Sequence, residues 1–505
     1  MQMSHNRWLM ATAICGAVVI QLVLSGFVTA AEQNEKKPAR EETWNVIYLS
    51  GHRIGYGQSV VENLQQDGVA IVRTSAKVHM RLKRFDQTLV INQLQMTEET
   101  AAGELRMFRL EETNPPAKPK ITSGVVEGNQ LTLTTEVNGK ATKVTRPWKK
   151  EVKSPTYQDR LIKDNPMKPG EIRTFDVFFP EFAQVGKVTL KGQQYEDTKL
   201  LDNTTQKLFK VSCTHTLMPG VPTDSYLDKD GETVKVSTSV LGSAMESFLV
   251  SQTEALKVIQ GAELDLSLST VVKVQPILKV HDTKRAVYRI TITGQDPSLI
   301  IPAGDTQSIK KLDKETAELT VVSLPIPATA KVGQVAGEFL ESSQYLQRDD
   351  ERVKRHANQA AGDATDPAEI ARRMEKYVQR KLDRKNFSTA MASAAEVAQS
   401  LEGDCTEHSV LLAAMLRAKG IPSRVAVGMV YSDQLFAFVG HMWTEVSLDG
   451  KWIPLDATLG HGGIGAIHIK LADSSLTDNG PPALSSFLPL MQVIGKLKID
   501  VVKSE

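Results

Sequence analysis

The sequence predicts an α+β multidomain protein: an antiparallel, β-rich N-terminal half followed by a smaller α+β domain. Up to about residue 255, short β-branched runs alternate with turn residues. Beyond Pro325 and Pro327 the apolar spacing lengthens to that of helices, and capping boxes appear. At 505 residues the chain also exceeds what one hydrophobic core serves.

The first thirty residues read as a targeting segment. His5 and Arg7 precede an apolar stretch from Trp8 to Val28, and Val28-Thr29-Ala30 offers the small residues of a cleavage site. Uncleaved, residues 8–28 are long enough to anchor the chain in a bilayer. Either way the folded part is expected outside the cytoplasm, whether periplasmic, secreted or anchored facing outward. The polar stretch 31–42 reads as a linker.

The β-rich domain is expected over 43–258. Val69–Thr74, Thr88–Asn92 and Gln130–Thr135 are strand-like, with turns at Gln66-Asp67-Gly68 and Asn138-Gly139. Their regular spacing suggests one large antiparallel sheet, curved or partly closed into a barrel. Tyr226–Ser237 superficially resembles a calcium loop, but it has Tyr and Ser where the first and twelfth ligands belong, so a hairpin turn at Asp230-Gly231 is expected. A smaller β region follows over 259–330, with strands near 264–274, 285–292 and 317–324.

An α+β domain is expected over 331–475, with a C-terminal extension over 476–505. Asp366-Pro367-Ala368-Glu369 is a capping box with proline at the first helical position, and Ile370, Met374, Tyr377, Val378 and Leu382 continue at helical spacing. Ser393–Glu396 is a second box, for a short helix ending near Leu401. Asp404-Cys405-Thr406-Glu407 is a third, and opens a helix that stops at Gly420.

Composition excludes some functions. With Lys+Arg 60 and Asp+Glu 59 the chain has no basic footprint for nucleic acid. Past the targeting segment only Cys213 and Cys405 remain, too few for a disulfide framework, although a single bridge between them is formally available. Cys213 and His215 lack a second pair to complete a zinc site. His441, His461 and His468 have no paired spacing, and the last two flank or lie in the Gly-rich Gly460–Gly465, so no metal and no cofactor are expected. Nothing in the sequence sets an oligomeric state.

One constellation carries chemistry. A thiol at the first position of a helix sits at the positive end of the helix dipole, which favours thiolate, and its backbone N–H is among the unpaired donors an oxyanion could use. Downstream, Asp449-Gly450 is the preferred pair for a two-residue type I′ turn joining strands 441–448 and 451–458. In that register Leu448 opposes Lys451, Trp443 opposes Asp456 and His441 opposes Thr458. His441 and Asp456 then share a face as diagonal neighbours, about 7–8 Å apart at the backbone, within reach of a side-chain hydrogen bond. A slip of one residue would put them on opposite faces. Nucleophile, base and orienting acid are the groups that thiol-based acyl transfer needs.

Gly403–Arg424 resembles the nucleophile helix of the transglutaminase-like superfamily, and His441–Val446 and Trp452–Thr458 resemble its histidine and aspartate strands. The resemblance spans roughly 365–470. It implies a papain-like core with Cys405 as nucleophile, His441 as base and Asp456 as orienting acid. It also implies a thioester intermediate on a protein or peptide substrate, resolved by water or by an amine. Hydrolysis of peptide or isopeptide amides is the favoured expectation, glutamine–lysine cross-linking the first alternative, and a non-catalytic envelope interaction module the second. Three further residues are candidate supports. Gln399, six before Cys405, is a candidate oxyanion donor. His408, one turn after it, is a surface or supporting histidine, and Trp443 would screen the His–Asp pair from water. Glu445, on the face of His441, is expected as a charge at the cleft edge.

Overall fold

In the N-terminal half, period-2 alternation builds strands that bury one face. In the computed structural model these form a single sheet of fourteen antiparallel strands, from β1 (Arg40–Leu49) to β14 (Ser243–Val250). The structure describes residues 40–505 apart from 67, 85–86, 116–118, 138, 219, 241–242, 260–270, 278–279, 387–390, 461–463 and 479–485. The expected targeting segment, most of the linker and Asn138 therefore lie outside the described residues. The last linker residues, from Arg40, already belong to β1. No helix among the described residues is long and apolar enough to cross a membrane.

Within this sheet strands pair with their sequence neighbours, and the first strand also pairs with the last, Ile47 facing Ser247. The two edges are β8 (Lys140–Pro147) and β9 (Ile172–Phe179). Lys153 stitches β9 to the turn at Gly103. Its N–H donates to Asp176 O at 2.8 Å, its carbonyl accepts from Phe178 N at 3.0 Å, and Ser154 N donates to Gly103 O at 2.9 Å. The sheet thus curls back on itself. Helix α1 (Tyr157–Asp164) packs against residues of its buried face. Gln158 Oε1 accepts a hydrogen bond from the Cys213 thiol at 3.5 Å, and Arg160 pairs with Glu99 at 2.8 Å. The expected hairpin joins β12 (Thr223–Leu227) to β13 (Thr233–Val240), with Asp228 Oδ1 accepting from Asp230 N and Glu232 N and with Gly231 at φ +82°. A short helix α2 (Gln252–Ala255), capped by Ser251, follows β14.

The chain divides into two compact units near residue 265. In the second, β15 (Val272–Lys273), β16 (Arg285–Ile292), β17 (Gln307–Lys311) and β18 (Thr316–Val322) precede the helices. Most of the strand expected near 264–274 lies outside the described residues. Three of these strands do not stand alone: with β23 (Leu497–Ser504) they make a four-stranded sheet in the order β17-β18-β16-β23. The stretch expected as a C-terminal extension thus supplies a strand to that sheet. It also contains a short helix, α7 (Leu488–Val493).

The second sheet runs β15-β20-β19-β22, built from β19 (Ser423–Ser432), β20 (Ala437–Leu448) and β22 (His468–Ser474), with β21 (Lys451–Leu455) on β20. Side chains tie the sheets together: Tyr288 Oη donates to Ala466 O at 2.8 Å, and Gln307 bonds both backbone groups of Lys470. A bulge between Val427 and Gly428 leaves Leu471 as the extra residue of β22. There the strands approach so closely that a Cβ on Gly428 would lie 2.0 Å from Ile469 O.

Helices α3 (Glu351–Ala361), α4 (Pro367–Lys381), α5 (Ala394–Ser400) and α6 (Cys405–Ala418) complete this unit. Asp366 caps α4 through Ala368 N and Glu369 N, and Ser393 and Glu396 form the capping box of α5. Apolar on every side from Val410 to Leu416, α6 is buried from Cys405 through Arg417, its polar first turn and Arg417 included. Arg417 closes its C-terminal end by donating to the carbonyls of Ser423, Glu341 and Ser475.

Candidate active site

Cys405 occupies the first position of α6 and is 2% exposed. Asp404 Oδ1 accepts from Thr406 N at 2.8 Å, and Glu407 Oε2 accepts from Asp404 N at 2.9 Å, completing the capping box. The box requires glycine before it. Gly403 has φ +149°, and a Cβ there would lie 2.2 Å from Cβ of Glu407. Burial, followed by the charge of Asp404, pushes the Glu407 carboxyl up.

The Asp449-Gly450 turn has both residues at positive φ, 48° and 75°, as a type I′ turn demands. The ladder follows the expected register from Leu448↔Lys451 to Thr444↔Leu455 and stops there. Trp443 and His441 therefore have no ladder partner on this side, because Asp456 leaves the strand to form a turn. Its Oδ1 accepts from Thr458 N at 2.9 Å and Leu459 N at 3.1 Å, while its own N–H donates to Glu375 Oε1 at 2.8 Å. Oδ2 accepts from Nε2 of His441 at 2.8 Å. With Nε2 committed to the carboxylate, Nδ1 is the nitrogen on the far side of the ring from Asp456. Burial alone would raise the Asp456 carboxyl, but His441 and His468 outweigh it and hold the group well below the carboxylate range.

Helix α6 lies on β20, where Thr444 Oγ1 donates to Ser409 O at 3.0 Å, one turn after Cys405. The ring of Trp443 stacks on His441, 6.2 Å between centroids, and meets His468 edge-on at 5.3 Å. His408 is fully buried, not at the surface. Its Nδ1 donates to Asp404 O at 2.5 Å, and burial, helped by Lys385, pushes it down to about 3. Gln399 is not brought into this group: it is exposed on α5, its Oε1 accepting from Arg352 Nη1 at 2.7 Å. Glu445 is not a cleft-edge charge either. It is 1% exposed, with Arg424 at 2.7 Å and Lys470 at 3.1 Å. Among the described residues both cysteines, Cys213 and Cys405, are free thiols, and burial pushes Cys213 up to about 12.

The sequence reading missed three participants: His468, Lys385 and Glu375. His468, which the sequence presents only as one of three histidines without paired spacing, donates from Nε2 to the same Asp456 oxygen at 3.0 Å. His441, Asp456 and His468 offer donor atoms within 4.8 Å of one another, a set that could hold a metal ion. As arranged, both Nε2 atoms share their protons with the carboxylate, so a cation would have to displace two hydrogen bonds. His461 lies outside the described residues.

Residues 354–457 match the model of the transglutaminase-like superfamily. This segment is similar to a transglutaminase-like core. It covers about a fifth of the chain and contains the capped cysteine, the histidine strand and the aspartate turn, so the fold around Cys405 is of the cysteine-type catalytic class. No curated protein matches the chain. Among solved structures, a cysteine-protease candidate from Cytophaga hutchinsonii is 15% identical, covering 38% of this chain and 80% of its own, at a TM-score of 0.28. A beta-barrel-like DUF1849 protein from Brucella abortus is 13% identical, covering 41% and 94%, at 0.31. The periplasmic domain of TgpA from Pseudomonas aeruginosa, bound to ethylmercury, is 12% identical, covering 36% and 92%, at 0.24. These likenesses are remote and transfer no residue role to the transglutaminase-like core.

Proposed function

We propose that this chain is an exported, cysteine-dependent acyl-transfer enzyme acting on peptide or isopeptide amides, with water as the favoured acceptor. Cys405 attacks the amide carbonyl, and its proton passes through His441 to the departing amine. The thioester is then opened by water, which gives its proton to His441 and leaves the free acid with the regenerated thiol. Asp456 orients the imidazole and stabilises its cationic form. The observation that carries the reading is the 2.8 Å bond between His441 and Asp456, in a core whose helix opens at a capped cysteine. Export rests on the sequence of residues 1–30, and the β unit is assigned to substrate or partner contact.

The test compares wild type with Cys405→Ala on a panel of exported proteins. New amide cleavage that depends on Cys405 supports the reading. Incorporation of a labelled primary amine into glutamine side chains without cleavage would move it to cross-linking. Absence of both reactions would leave an interaction module.

A further inference from the structure

A thiolate at Cys405 is opposed from two sides. The thiol is buried, and the Asp404 carboxylate caps the same helix turn. The partial charge of the helix N-terminus offsets this only in part. A full positive charge comes from Lys385.

The backbone beside Lys385 is laid along the approach to Cys405. Arg384 and Glu402 form a parallel bridge, and Gly403 N donates to Arg384 O at 3.1 Å. The side chains then alternate. Arg384 Nη1 reaches Glu402 at 2.8 Å and Asn386 Nδ2 reaches the same carboxylate at 3.4 Å. Lys385, between them, turns the other way, its Nζ 3.5 Å from Nε2 of His408. That imidazole can only accept, because Nδ1 holds the proton given to Asp404 O and the ring is neutral. His408 follows Cys405 by three positions and so shares its helix face. The electrostatic partners of Lys385 are Cys405, Asp404 and Asp456; burial alone keeps its own ammonium below the usual lysine range. The other titratable groups of this region include Glu407 on the same helix, His441 and Asp456 from β20 and the turn after β21, Glu375 of α4 against Asp456, and His468 beyond them.

Resting on the reading of Cys405 as nucleophile, we propose that Lys385 is a positioning residue whose ammonium, aimed by His408, holds the Cys405 thiol as a thiolate. The role is electrostatic, so arginine can serve and methionine cannot.

The experiment is alkylation of the full chain by iodoacetamide from pH 5 to 10, with the Cys405 and Cys213 peptides followed separately by mass spectrometry. Wild type, Lys385→Met and Lys385→Arg are compared, each checked for native circular dichroism. In Lys385→Met the midpoint of the Cys405 profile is expected to rise by about one pH unit, which is about a tenfold loss of thiolate below the midpoint. Lys385→Arg is expected to restore it, which separates charge from packing. An unchanged midpoint in Lys385→Met overturns the proposal, as does a wild-type profile indistinguishable from an ordinary thiol. The amide assay on Cys405→Ala decides the enzymatic reading by itself, so the two can fail separately.

Discussion

His441 and His468 meet at one oxygen of Asp456, at 2.8 and 3.0 Å. The other oxygen takes two backbone N–H groups, so four donors converge on one buried carboxylate. Its charge is thereby maintained in a site that excludes water, where hydrogen bonds to ions are strongest. The arrangement assigns different weights to the two imidazoles, and substitutions can separate them.

Asp456→Asn keeps the shape but presents an amide N–H₂ to one set of donors. If it faces the imidazoles, His441 must change tautomer. The Cys405-dependent reaction is expected to fall by about 10³–10⁴-fold, with a smaller change in melting temperature. A steady-state rate together with a thermal melt checks it, and near-wild-type turnover would contradict the role given to Asp456.

His468→Phe removes the second imidazole while leaving the first in place. A hydrogen bond to a buried charge contributes about 1.5–3 kcal/mol, and that is the loss of stability expected in denaturant titration. Activity should suffer less than in Asp456→Asn. An unaltered denaturation midpoint would show that the bond contributes nothing net.

The pH dependence of stability has a sign that His408 fixes. Its native value, about 3, lies below the ordinary histidine value, so below about pH 6.5 the unfolded chain binds a proton that the native chain refuses. Stability is lost as pH falls through that window, by about 2 kcal/mol between pH 7 and 5. Glu407 and Glu181, both raised to about 8, run the opposite way over the same range. Comparison with His408→Gln cancels them. The advantage of wild type over the variant should shrink by about 2 kcal/mol from pH 7 to 5; a constant gap would mean that His408 is not held neutral.

Buried Lys470 and Glu445 form an ion cluster with half-buried Arg424 and the more exposed Asp473, with Lys470 Nζ 3.1 Å from Glu445 and 3.2 Å from Asp473. Lys470→Met leaves Glu445 with one cation and is expected to cost about 3 kcal/mol. Adding Glu445→Gln should recover part of that loss. Urea titration of the two single variants and the double variant decides, and a double variant whose loss equals the sum of the two single losses would show that the charges are not coupled.

Much of this site is legible locally. Ser393–Glu396 and Asp404–Glu407 announce helix starts because a capping box is complete within four residues, and Asp449-Gly450 sets its own register. What depends on distant pairing is not legible. The exit of Asp456 from the ladder follows from Glu375 and the Thr458 turn, while His468 reaches the carboxylate only because β22 lies beside β19. Lys385 is aimed by the bridge that its neighbour Arg384 makes to Glu402, and Gln399 is turned outward by Arg352. The strand Leu497–Ser504 reads as a tail until β16 is seen to pair with it.

The bulge at Leu471 makes spacing as much a part of the site as residue identity. By adding one residue between Lys470 and Ala472, it lets His468 and Lys470 share a face with Asp473, although strict alternation would separate them. His468 and Lys470 share that face by simple alternation, and the bulge is what adds Asp473 to it. A single-residue deletion there would leave every named side chain in the sequence, yet it would turn Asp473 away from Lys470 and Arg424. For this strand, related chains are better compared by counting residues between His468 and Asp473 than by scoring which residues intervene.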